Sequence, residues 1–219
     1  MSPEIINLLV EGTFETLYMT VVSTLLAYLI GIPLGVLLYV TDKNGIHPSR
    51  VINLLVGTIV NIFRSIPFLI LLVMILPMTR FIVGTTIGST ATIVPLVVAA
   101  APYVARMVES SLKEVDAGVV EAARAMGTST WQMITKVFLP EAKPSLMVGA
   151  AISLATILGY SAMAGFVGGG GLGTIAINYG YYRYQFDIMF ITVILLVIIV
   201  QIFQEGGLAL VRKFDKRLR

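Results

Sequence analysis

Residues 121–140 read EAARAMGTSTWQMITKVFLP, and they stand apart from the rest of the chain. The 219 residues are 57% hydrophobic and only 12% charged, with a mean hydropathy of +0.93. Soluble domains carry about 25% charged residues, so this composition belongs to a membrane protein. A stretch with charges, a central glycine and a terminal proline must lie to one side of the bilayer. Deciding which side fixes the topology.

Charge-free runs mark the spans. Residues 16–41 carry no charged side chain, and their 26 residues would reach about 39 Å as a helix, enough for a hydrocarbon core of about 30 Å. Residues 51–79 are interrupted only by Arg64, and 81–105 and 188–204 form further runs. Residues 144–182 are uncharged for 39 positions, more than one span requires. From residue 167 the sequence VGGGGLGTIAINYGYYRYQFD, which extends past the end of this run, joins glycines that disfavour helix to tyrosines that prefer the membrane interface. It is read as an interfacial or re-entrant loop. The expected architecture is therefore all-α, one domain over 1–219, with five spans at about 16–41, 51–77, 83–105, 144–166 and 188–210.

Basic residues choose the orientation. With the N-terminus outside, the inner segments 41–50, 106–143 and 212–219 hold 12 of the 15 basic residues, and the outer loops hold only Arg80 and Arg183. That asymmetry is a positive-inside signal. It places the C-terminus and residues 121–140 in the cytoplasm. The tail RKFDKRLR then anchors the last span, or binds anionic lipid. The N-terminal MSPEIINLLVEGTFE has no basic residue, so no cleaved leader is expected.

Within the cytoplasmic segment, Asp116 suits the N-cap of a helix through Glu121 to Met126, and Gly127 suits the left-handed position that ends it. Ser129 and Gln132 fit a capping box that starts a second helix, which Pro140 should stop. On that helix Trp131, Ile134 and Phe138 fall on one apolar stripe. Such a ridge either lies on the headgroups or docks into a groove of another protein.

The pattern E-A-A, three residues, G, nine residues, V-x-L-P is carried by Glu121, Ala122, Ala123, Gly127, Val137, Leu139 and Pro140. It resembles the EAA loop of permease subunits of bacterial ATP-binding-cassette (ABC) importers. GTFETLYMTVVSTLLAYLIGIPLGVLLYVT resembles the opening span of such permeases, and NIFRSIPFLILLVMILPMTRFIVGT and GYSAMAGFVGGGGLGTIAINYGYYRY are similar to stretches of their methionine importer subfamily. The resemblance implies a type I importer permease in the bacterial inner membrane, importing methionine or another small polar solute. It implies a second copy of the chain, two cytoplasmic ATPases that hold ATP and Mg²⁺, and an external substrate-binding protein. Glu121, Ala122, Ala123, Gly127, Trp131, Leu139 and Pro140 would then form the ATPase contact.

Other conspicuous residues have plainer readings beside functional ones. Arg64 is the only ionisable residue deep in a span, where a charge costs at least about 2.5–3.5 kcal/mol. It snorkels or caps a helix broken by Pro67, or it lines the pathway with Asn61 and Ser65. Tyr160, Ser161 and Met163 are pathway candidates near the outer end of a fourth span rich in small residues, which suits close packing in the bundle or between two copies. Gly168, Gly170 and Gly173 imitate a nucleotide motif without its strand–helix context, and close backbone packing at the outer mouth explains them better.

Several functions are disfavoured. The chain has no cysteine and one histidine, His47, so neither a thiolate nor a histidine-cluster metal site is expected, and no cofactor of its own. No nucleophile–base pairing or HExxH helix points to an enzyme. A secondary carrier would need acidic residues within its spans, whereas the twelve here lie outside them or at their ends. The basic balance of +3 follows membrane topology rather than nucleic-acid binding.

Overall fold

The first helix of the computed structural model, α1 (Pro3–Thr41), runs 39 residues and reaches back well before the expected span. Pro3 and Glu4 suit a helix start, where a missing N–H costs nothing and a negative charge meets the positive end of the dipole. The structure describes residues 3–214, without the side chains of residues 210, 213 and 214. Lys216, Arg217 and Arg219 of the expected tail anchor lie outside the described residues. All regular structure among the described residues is helical.

The second apolar run is not one straight span. α2 (Arg50–Ser65) and α3 (Phe68–Met74) are bent by 103° at Ile66–Pro67. A residue before proline is driven out of the helical region, and Ile66 accordingly adopts ψ 124. The break is docked on the bundle by Phe68, whose ring stacks on Tyr160 with centroids 4.6 Å apart. α4 (Leu76–Val83) follows and ends at Gly84. α5 (Ser89–Lys113) is the central rod, lying against α1, and it extends eight residues beyond the expected span end at 105. Gly31 and Gly35 of α1 allow this approach, since a Cβ there would meet Val104 and Val108 of α5.

α6 (Ala117–Ala125) and α7 (Thr130–Gln132) form the two-part segment. Pro140 does not stop the second helix. After α7 the chain passes through a π-helical stretch, Met133–Phe138, into α8 (Leu139–Glu141), and only Ala142 separates that from α9 (Lys143–Met163). Pro140 stands in the first turn of α8, where no N–H is required of it.

Residues 164–181, read as an interfacial or re-entrant loop, hold short helices on either side of a non-helical turn at 168–170. A 3₁₀ turn, Ala164–Val167, leads through Gly168 to α10 (Gly171–Ile175) and a second π-helical stretch, Ala176–Tyr181. Leu172 is fully buried. The glycines serve packing: a Cβ on Gly173 would fall on the backbone of Ala162, and one on Gly169 would meet Ala164 and Thr92. Side chains of α1 complete the turn, Glu15 accepting from the Gly171 N–H at 2.6 Å and Thr16 Oγ1 from the Leu172 N–H at 2.9 Å.

α11 (Phe186–Phe214) packs on α9, where Gly207 meets Ala151. Its outer face exposes Phe190, Val193, Val197 and Ile202, a row that suits acyl chains. Among the described residues four helices are long and apolar enough to cross a membrane, with a fifth span if α2 and α3 count as one.

Candidate functional site

The two-part segment is built by local hydrogen bonds that its sequence encodes. Asp116 Oδ1 accepts from the Gly118 N–H at 2.7 Å and the Val119 N–H at 3.3 Å, capping α6. At the other end Gly127 has φ +75, its N–H donates to Arg124, and the Thr128 N–H donates to Ala123. This paired arrangement satisfies the last carbonyls of α6. Ser129 and Gln132 then close the expected capping box, with the Gln132 side chain accepting from the Ser129 N–H at 2.9 Å. Asp116→Ala is expected to destabilise α6 by about 1 kcal/mol, seen as faster amide exchange over residues 117–125 with the rest of the bundle unchanged.

The expected contact residues divide into two groups. Glu121, Ala122, Gly127, Trp131 and Pro140 are exposed, and Met126, which the sequence reading passed over, is 78% exposed beside them. Ala123 is buried, in the same cluster as Met133 and Phe138, and Leu139 packs against that cluster. The stripe of Trp131, Ile134 and Phe138 is therefore not one exposed ridge. Trp131 is 72% exposed, whereas Phe138 is 1% exposed and meets the Tyr39 ring edge-on. Phe138 anchors the segment to the bundle, and Trp131 is left free to meet a partner.

The segment is also tied to the turn that follows α1. His47 Nε2 lies 2.5 Å from Thr130 Oγ1. In the same turn Asp42 keeps its carboxyl below the ordinary range. Partial burial opposes this, but hydrogen bonds from the Asn44 N–H and Lys113 outweigh it.

The pathway candidates also separate. Asn61, Arg64 and Ser65 are exposed on the last turns of α2, just before the bend, and Ser65 Oγ donates to the Asn61 carbonyl at 2.8 Å. Tyr160 stands across from the bend through its stack on Phe68. Met163 is exposed. Ser161 is 1% exposed, and its hydroxyl donates to the Leu158 carbonyl, so it faces the interior of the bundle. Ile152, Thr156, Gly159 and Met163 recur along one side of α9, and a Cβ at Gly159 would meet nothing. No group of three or more His, Cys, Asp or Glu could hold a metal ion among the described residues.

These features recur in known proteins. Residues 31–219 match the family described as binding-protein-dependent transport system inner membrane component. The chain is 51% identical to the probable D-methionine transport system permease protein MetI of Vibrio cholerae, over 96% of this chain and 94% of that one. It is 54% identical to D-methionine transport system permease protein MetI of Escherichia coli K12, over 75% of this chain and 76% of that one. Its fold superposes with TM-score 0.97 on a chain of the inward-facing MetNI methionine ABC transporter, at 51% identity, over 99% of this chain and 100% of that one. The chain therefore belongs to the family of binding-protein-dependent transport system inner membrane components, and is a transport permease subunit of the inner membrane rather than an enzyme.

Proposed function

We propose that the chain forms the membrane path of an ATP-driven methionine importer. The observation that carries this reading is the likeness along the whole chain to the MetNI permease subunit, with the same fold at 51% identity. Two copies related by a two-fold axis enclose the path, because a single five-span subunit has too few helices to surround one. The N-terminus lies outside and the segment 116–140 lies in the cytoplasm, as the 12 basic residues of the inner segments favour.

In this reading each copy presents Glu121, Ala122, Met126 and Trp131 to a cytoplasmic ABC ATPase, with Gly127 setting the angle between α6 and α7. ATP and Mg²⁺ bind the ATPases and not this chain. Closure of the ATPases brings the two segments together, and α5, which leads directly into α6, carries that movement into the bundle. The side of α9 with Gly159 and Met163, and the end of α2 with Arg64, face the path between the copies. An external binding protein delivers the solute. Transport follows because ATP binds the two arrangements of the assembly unequally and shifts their populations.

The test is uptake by liposomes carrying the chain with its ATPase and binding protein. Labelled methionine should accumulate only with ATP inside, and excess unlabelled methionine should compete. Accumulation of another amino acid in its place would remove the substrate and keep the importer. Uptake driven by an ion gradient without ATP would replace the importer with a carrier.

A further inference from the structure

One string of ion pairs and hydrogen bonds joins three elements and is used neither by the segment's exposed face nor by the path. Glu109 on α5 is 6% exposed, yet it holds two cations. Arg106 Nη1 lies 2.6 Å from its Oε2, and Lys113 Nζ lies 2.7 Å from its Oε1. Lys113 reaches on to Asp42 Oδ2 at 3.4 Å, in the turn after α1. In the other direction Arg106 Nη2 donates to Asn61 Oδ1 at 2.8 Å and to the Gly57 carbonyl at 3.2 Å, both on α2. Gly57 keeps this approach open, since a Cβ there would stand 3.3 Å from Nη2.

The chemistry makes this a clamp and not a passing contact. A guanidinium is a rigid planar fork that holds several acceptors at fixed directions. The buried Glu109 carboxylate, on the same helix, fixes the Arg106 guanidinium in place, since parting them would leave its charge with Lys113 alone. The two helices joined in this way have different destinations. α5 runs unbroken from the clamp to Lys113, three residues before the Asp116 cap of α6. α2 runs from Gly57 and Asn61 to the bend at Ile66–Pro67.

Resting on the importer reading above, we propose that Arg106 is a positioning residue that makes α2 follow α5. A push on α6 then reaches the bend at Ile66–Pro67 through the Glu109–Arg106–Asn61 connection. Asn61, an exposed residue of α2, acts in this scheme as the receiving end of the clamp and not as a contact for the solute. Without the clamp, α5 would still answer the ATPase while α2 stayed behind, and ATP would be hydrolysed without completing a transport cycle.

The experiment uses the permease reconstituted with its ATPase and binding protein, and reads both ATP hydrolysis and methionine uptake. The wild-type complex is measured first, so that failure of the importer reading shows there and not in a variant. Arg106→Met keeps much of the side-chain stem and removes the fork. Asn61→Leu removes the acceptor without touching the buried carboxylate. Each is expected to hydrolyse ATP while methionine imported per ATP falls about tenfold, within the usual range of coupling between sites. In the double variant the ratio should fall no further than in the worse single, because both changes remove one shared contact. A wild-type ratio in Asn61→Leu, or losses that multiply in the double variant, would overturn the proposal. Should Arg106→Met fail to assemble, the ratio in Asn61→Leu decides alone.

Discussion

Gly127→Val is expected to lower ATP-driven uptake by about a hundredfold while leaving the membrane bundle folded. The cause is conformational and not a clash, because a Cβ at Gly127 would meet nothing within 4 Å. Its φ of +75 is the difficulty. An L-residue there costs about 1–2 kcal/mol, and a β-branched one is less tolerated still. The chain can relieve that strain by turning residue 127 to negative φ, but this breaks the Thr128-to-Ala123 hydrogen bond and swings α7 away from α6. Trp131 and the α6 face would then no longer fit one rigid groove. Gly127→Asn, which accepts the left-handed conformation more readily, should retain much of the uptake. Co-purification of the ATPase reports the contact directly, and undiminished association and uptake in Gly127→Val would remove Gly127 from the coupling site.

Phe138→Ala and Trp131→Ala should behave as opposites although the two residues lie on one apparent stripe. Phe138 is 1% exposed and packed against Tyr39, so its truncation is expected to destabilise the chain by about 3–5 kcal/mol and to reduce the amount recovered in detergent. Trp131 is 72% exposed, and its removal should change stability by less than about 0.5 kcal/mol. The loss should fall instead on affinity for the ATPase, by at least about tenfold if Trp131 fills a pocket there as exposed aromatic anchors do. Thermal unfolding of the isolated permease and titration with the ATPase separate the two effects. Equal loss of stability in both variants would mean that Trp131 also serves the fold.

The contrast shows where sequence reasoning reached and where it stopped. Apolar runs, caps and the left-handed glycine are local properties, so the helices, the Asp116 cap, the turn at Gly127 and the Ser129–Gln132 box could all be read from neighbours a few residues apart. The EAA pattern pointed to the family for the same reason. The sharing of a face by Trp131 and Phe138 assumed α-helical spacing, but Met133–Phe138 is π-helical and advances by a smaller rotation per residue. Ala123 was expected at the ATPase contact through the family resemblance, whereas it is buried in the chain's own cluster. The Arg106–Asn61 contact spans 45 positions and joins two helices, and no periodicity reveals such a pair. Pro67 announced a break but not its angle, which depends on what Phe68 finds to pack against.

The capping of α10 by Glu15 and Thr16 sets an order of assembly. Its first amide groups are satisfied by side chains 156 positions earlier in the chain, so that side of α1 is made long before the turn that covers it. Glu15 and Thr16 therefore stay without these partners until the last third of the protein is made. A chain halted before that point would leave this side of α1 uncovered, a mark that separates unfinished copies from finished ones.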